Sequence, residues 1–287
     1  MAFEPPQRLL RALGDRTEWL GHLPETVREA VDRRKLDVER LVAPGGRSSV
    51  VLLVRQADGT PAALKLAPPS AAPALEHAAL TAWNGWGAVR LADGDDGLLM
   101  ERLHPEVSLR SLPEAKALLE AAGTVRRLWI EPPAGHGFET VAARTARQAA
   151  AMTSPAGEPL VAAALAAREE LVAAPGEVRL LHGNFRQGKV LAGDRAPWLA
   201  VGPEPVVGEP AYDLARLVRD RVEDLVASSS GASAVRRRLT RLADALEVDR
   251  DRLHGWTLFR AVESGTRALA EDRRAEAELT LEFASWL

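Results

Sequence analysis

Within LLHGNFRQGKVLAGDRAPWLAVGPEPVVGEPAYDLARL, Leu180 to Leu217, His182, Asn184, Arg186 and Lys189 bring an imidazole, an amide and two cations within eight residues. An imidazole titrates near neutrality and can carry a proton. An amide cannot accept a proton near neutral pH, so Asn184 can orient a hydroxyl but cannot act as a base. Glu204 and Glu209 follow closely and add two carboxylates. His182, Asn184, Arg186, Lys189 and Glu204 form a set that suits acid/base work on a small molecule.

Lys65 lies in the apolar run PAALKLA, and Glu76 stands eleven residues on. A lysine in such a run often snorkels at the edge of a sheet. Gly45 and Gly46 separate two β-branched runs. They read as a hairpin turn.

The elements that must position these groups follow from pattern. Leu9, Leu10 and Leu13 repeat at helical spacing, and PETVREAVDRR predicts a second helix starting at Pro24. Three antiparallel strands are expected at about Val38–Ala43, Ser48–Gln56 and Pro61–Ala67, the last two joined at Asp58-Gly59. Pro73 opens a helix whose end is marked by Gly85 and Gly87, and strands follow near Ala88–Leu91 and Gly97–Arg102. The remainder reads as mostly helical, through PEAKALLEAAGTVRRLW, FETVAARTARQAAAMTS and LVAAALAAREELVA, interrupted by a strand-loop-strand piece at Arg179–Val201.

Bulk properties narrow the function. The chain has 287 residues, 46% hydrophobic, with a net charge of −3, which gives no general attraction to nucleic acid or anionic membrane. It has no cysteine, excluding thiolate metal sites and cysteine nucleophiles. MAFEPPQRLLRALGDR lacks a basic segment followed by an apolar stretch, and no apolar run is long enough to span a bilayer, so a cytoplasmic protein is expected. Asp93, Asp95 and Asp96 read as a turn, and Arg236, Arg237, Arg238 and Arg241 as a solvated helix face.

GGRSSVVLLVRQADGTPAALKL, LLMERL, LLHGNFRQGKVL, VGEPAYDLARLVRDR and GWTLFRAVESG, taken together and in this order, resemble the streptomycin 6-phosphotransferase and hydroxyurea phosphotransferase branch of the aminoglycoside phosphotransferases. The resemblance covers nearly the whole chain. It implies an α+β, two-lobed protein-kinase-like fold: an N-lobe over residues 1–102 with a small antiparallel sheet, and a mainly helical C-lobe over 103–287. It assigns Gly45 and Gly46 to the phosphate-covering turn and the Lys65–Glu76 pair to the nucleotide phosphates. Met100, Glu101 and Leu103 become the hinge that would hold adenine. Glu223, Asp224 and Glu263 are candidates for a cationic substrate, and Asp213 for a structural tie between loop and helix.

The same resemblance shows a departure at the reacting centre. The family's loop reads His-Gly-Asp, four residues, then Asn, and a following strand ends in a metal-binding aspartate. Here Asn184 replaces the aspartate, Lys189 the asparagine and Gly202 the second aspartate. Each change adds one positive unit, about three in all, where the metal supplies about two. The resemblance leaves room for ATP and counts against Mg2+. Three readings follow. One is a pseudokinase binding an aminoglycoside-like molecule, a pathway metabolite or a nucleotide. A second is an enzyme of secondary metabolism reusing the inter-lobe cleft for acid/base or cyclisation chemistry with His182, Asn184, Arg186, Lys189 and Glu204. The third is a residual phosphotransferase whose metal has moved to Glu204 and Glu209.

Overall fold

The computed structural model describes residues 4–14, 18–152 and 159–287. The N-terminal and FETVAARTARQAAAMTS readings above extend in part to residues 1–3, 15–16 and 153–154, outside that range. The chain forms two compact units, Met1–Ser108 with Leu191–Val201, and Leu109–Val190 with Gly202–Leu287.

In the first unit, helices α1 (Gln7–Leu13) and α2 (Glu18–Arg33) precede strands β1 (Asp37–Leu41), β2 (Val50–Arg55) and β3 (Pro61–Leu66). Helix α2 begins before Pro24, which lies inside it, and not at Pro24 as expected. Leu23 and Val27 are buried on either side of that proline, and packing outweighs the backbone hydrogen bond that proline cannot donate. Leu9, Leu23, Val27 and Ala30 pack on Val50, Leu52, Val54, Leu64 and Leu66, so both helices cover one face of the sheet. Each leucine so buried contributes about 1.5–3 kcal/mol relative to exposure.

Helix α3 (Pro73–Trp83) comes next, ended by Asn84 in the left-handed region at φ 44°. Strands β4 (Leu91–Asp93) and β5 (Leu98–Glu101) complete an antiparallel five-stranded sheet of order β1-β2-β3-β5-β4. Gly59, at φ 84°, makes the β2–β3 turn, and Val50 pairs with Leu66 at the far end. Leu103–Ser108 forms strand β6, although helix was expected after Arg102.

The second unit begins with α4 (Glu114–Leu128), α5 (Val141–Ala151) and α6 (Pro159–Ala173), then β7 (Arg179–Leu181). The chain returns to the first unit for β8 (Val190–Gly193) and β9 (Leu199–Ala200), in a sheet of order β6-β8-β9. It then runs through β10 (Val206–Gly208), which pairs antiparallel with β7. Five helices close the chain: α7 (Pro210–Val218), α8 (Val222–Val226), α9 (Gly231–Leu246), α10 (Arg250–Ala270) and α11 (Arg274–Ala284). Helix α10 packs against α6, α7, α9 and α11 and buries residues all round, including Trp256, Phe259 and Val262. Arg238 on α9 is buried, not solvated as expected: it donates to Val218 O at 2.7 Å and Asp220 O at 2.6 Å and pairs with Glu114. Those carbonyls at the end of α7 lack helical donors, which is why a guanidinium is drawn there.

Candidate functional site

In the first unit, β3 presents Lys65 to Glu76 on α3, and the two are ion-paired with side chains only 12% and 5% exposed. Glu76 Oε1 is buried and has no hydrogen-bond partner among the described residues. A buried pair with one orphan oxygen is held by geometry more than by net energy, since desolvating both charges offsets most of their attraction. Gly45 stands at φ 71°, and a Cβ there would touch Pro6 Cγ at 3.0 Å, so a side chain is disfavoured at this turn. Met100 and Leu103 are buried. The Glu101 carboxylate accepts from Arg195 at 2.6 and 2.9 Å and from the Arg90 backbone N–H at 2.6 Å, so its side chain is spent on local structure.

In the second unit, β7 delivers the loop that follows Leu181. Asp213, fully buried on α7, accepts the backbone N–H of His182 at 2.8 Å and of Gly183 at 2.7 Å. Burial holds its carboxyl above the ordinary aspartate range, against the opposing pull of those two N–H groups and of Arg260. Gly183, at φ 73°, has Glu204 O where a Cβ would stand, so no other residue fits. His182 is buried, and its Nδ1 accepts the Asn184 N–H at 3.3 Å, which leaves the proton of a neutral ring on Nε2.

Asn184 is buried and donates Nδ2–H to Glu204 Oε1 at 2.6 Å. An aspartate at this position would set two carboxylates against each other, so Asn184 and Glu204 form a matched pair. Asn184 Oδ1 is buried without a hydrogen-bond partner among the described residues. Arg186 is half-buried, and its Nε likewise has no partner among them.

Lys189 ends a short 3₁₀ turn whose first residue, Gln187, is fixed by Asp220 and Arg221. Its ammonium lies beside Gly202. A Cβ built on Gly202, itself at φ 60°, would stand 2.5 Å from Lys189 Nζ. The lysine head therefore fills the space of a side chain at residue 202.

This donor set does not fit a magnesium ion. Mg2+ demands near-octahedral oxygen donors, usually one or two carboxylates beside phosphate oxygens. Gly202 offers no side chain, and an ammonium occupies its place. Glu204 is engaged with Asn184. Glu209 is buried, and both its oxygens are taken, by Arg252 at 2.5 and 2.6 Å and by Trp256 Nε1 at 2.5 Å. Among the described residues no group of three His, Asp or Glu side chains could hold a metal.

Of the acids named for a cationic substrate, Glu223 and Asp224 lie on α8 and Glu263 on α10. Glu223 is paired with Arg110 at 2.5 Å, and Glu263 with Arg267 at 3.0 Å. Burial pushes the Glu223 carboxyl up, but hydrogen bonds and Arg110 outweigh it and hold it below the ordinary range. Asp224 lies in the first turn of α8. Sequence reading missed the arginines that surround Glu263, namely Arg216, Arg219, Arg260 and Arg267. Their signal was present in the helical spacing of LARLVRDR and LFRAVESGTR.

The sequence pattern of aminoglycoside/hydroxyurea antibiotic resistance kinases matches residues 34–272. The chain belongs to this family. Streptomycin 6-kinase of Streptomyces glaucescens is 36% identical over 266 residues, covering 88% of this chain and 86% of that one. Hydroxyurea phosphotransferase of Kitasatospora aureofaciens is 39% identical, covering 92% and 80%. Among solved structures, aminoglycoside phosphotransferase APH(4)-Ia superposes with a TM-score of 0.64 at 15% identity, covering 91% of this chain and 97% of its own. APH(3'')-Id of Streptomyces rimosus, solved with ADP and streptomycin, gives 0.55 at 16% identity, covering 86% and 99%. The α+β kinase-like fold of the antibiotic resistance kinases is thus the fold of this chain. No helix among the described residues is long and apolar enough to cross a membrane.

Proposed function

We propose that this member of the antibiotic resistance kinases has lost ordinary metal-dependent phosphoryl transfer and acts by binding a nucleotide or another small molecule. The observation that carries the reading is the Lys189 ammonium standing where a carboxylate at residue 202 would project. Phosphoryl transfer needs charge neutralisation and alignment more than a base, so loss of the aspartate at 184 alone is survivable. Replacing a metal ligand by a cation is not, because one compact charge cannot bridge two phosphates.

The Lys65–Glu76 pair supports retention of phosphate recognition in the first unit, since a buried lysine held on a strand is costly to keep without use. Lys189 then supplies part of the charge that magnesium supplies in an active kinase. Against the displaced-metal reading stand the contacts of Glu209 with Arg252 and Trp256 and of Glu204 Oε1 with Asn184. ATP titrated with and without Mg2+ tests the proposal: binding unchanged by the metal is expected, and binding that requires the metal contradicts it.

A further inference from the structure

Arg216 lies near the end of α7 and Arg219 just beyond it, while Arg260 and Arg267 stand on α10. With Glu263 and Ser264 they line a narrow recess of about 10 Å³, room for about one water molecule as the side chains stand. The charges around this recess do not balance. Glu263 is the carboxylate in the lining, and it is already paired with Arg267 at 3.0 Å. Arg260 is fixed in place: it donates to Tyr212 O and Gly183 O, each at 2.9 Å, and its guanidinium lies 4.2 Å from the centre of the Tyr212 ring.

Arg216 and Arg219 remain. Neither guanidinium makes a hydrogen bond or a close ion pair among the described residues, and Arg219 Nη1 is buried without a hydrogen bond, while Glu204 near Arg216 and Glu263 and Glu276 near Arg219 offset part of the charge. Burial, then Arg219, Arg260 and Arg186, push Arg216 down to about 9. Burial, then Arg260, push Arg219 down to about 10. Both still carry charge at neutral pH. Guanidinium groups crowded together with unfilled donors repel one another unless an anion neutralises them, and their planar fork matches the oxygens of a phosphate or sulfate.

We propose that this recess binds a small oxyanion of the phosphate class, held by Arg216, Arg219 and Arg260, with the Ser264 hydroxyl as a further donor. The site lies wholly within the second unit and needs neither Lys65 nor a metal, so it stands apart from the nucleotide reading above. It also disfavours a polycationic molecule near α7 and α10, whatever the acids nearby. The anion is either free or part of a phosphorylated metabolite.

The test is thermal unfolding and calorimetric titration of the full chain with inorganic phosphate, sulfate and a simple phosphomonoester, at ionic strength held constant with chloride. Wild type, Arg219→Met and Lys65→Met are compared. A saturable rise in Tm with phosphate, weakened about tenfold or more in Arg219→Met and kept in Lys65→Met, is the expected result. Anion-free Arg219→Met should be at least as stable as wild type, because it loses an unpartnered buried charge. Saturation by the phosphomonoester alone supports the site and assigns it to a phosphorylated metabolite. Should Arg219→Met fail to fold, the Lys65→Met titration decides: a saturable response to phosphate supports the recess, and its absence overturns the proposal. Absence of saturable heat with every anion, or an equal response in Arg219→Met, overturns the proposal.

Discussion

Lys189 Nζ and the Cα of Gly202 are matched: a side chain at 202 would meet the ammonium at 2.5 Å, and the lysine's Cε and Cδ at 3.7 and 3.8 Å. The absence of a side chain at 202 and the presence of the Lys189 cation are therefore a single structural feature. Gly202→Asp alone should form an ion pair with Lys189 and leave nucleotide binding independent of Mg2+. The left-handed backbone there, at φ 60°, adds a cost of about 1 kcal/mol that aspartate tolerates better than most residues. Lys189→Asn with Gly202→Asp should free the carboxylate and make binding metal-dependent, so the two substitutions are strongly non-additive. Titrations with and without Mg2+ on both variants check this.

The Lys65–Glu76 pair should be costly to break and cheap to replace. Glu76→Gln leaves a charged lysine in a site 12% exposed and should lower stability by about 3–5 kcal/mol. Lys65→Met combined with Glu76→Leu should lie near wild type or above it. Urea unfolding midpoints of the singles and the double separate these outcomes, and the double should also lose nucleotide affinity.

Glu209 serves architecture. It accepts hydrogen bonds from Arg252 and Trp256 and tethers the start of α7 to α10. Glu209→Gln should therefore destabilise the fold by about 2–4 kcal/mol, because one partner is a buried charge-assisted contact. Its effect on any metal response should be nil, which calorimetry with Mn2+ and Mg2+ measures directly.

Asp213 gives a pH dependence of unusual sign. Burial raises its carboxyl in the folded chain, so between the ordinary aspartate value and that raised value the folded state holds more protons than the unfolded state. Its contribution to stability is greatest at low pH and is lost as pH rises through the folded pKa. The stability of wild type minus that of Asp213→Asn should grow as pH falls from neutrality toward the ordinary aspartate range. Parallel Tm–pH curves for the two proteins test the sign.

Much of this was legible in the chain. Asp58-Gly59 marked the β2–β3 turn, the apolar run around Lys65 marked a buried strand, and Asp213 was expected to tie loop to helix, as its two backbone contacts show. Other features depend on long-range pairing that local pattern does not carry. Strand β6 contains Pro105 and exposed polar residues, and it exists because β8, far along the chain, pairs with it. The replacements at 184, 189 and 202 were visible, but not that Lys189 fills the space at 202 or that Asn184 faces Glu204. Those facts depend on where side chains end, which backbone periodicity leaves open. The arginine recess was hidden for the same reason, its members being split between α7 and α10.

The measurement that bears most directly on the central claim is ATP-dependent phosphorylation of streptomycin and hydroxyurea by the purified chain, with Mg2+ or Mn2+. The expected result is product no greater than in an enzyme-free control with either metal. Turnover at the rate of an ordinary antibiotic resistance kinase would contradict the reading of Lys189 and Gly202.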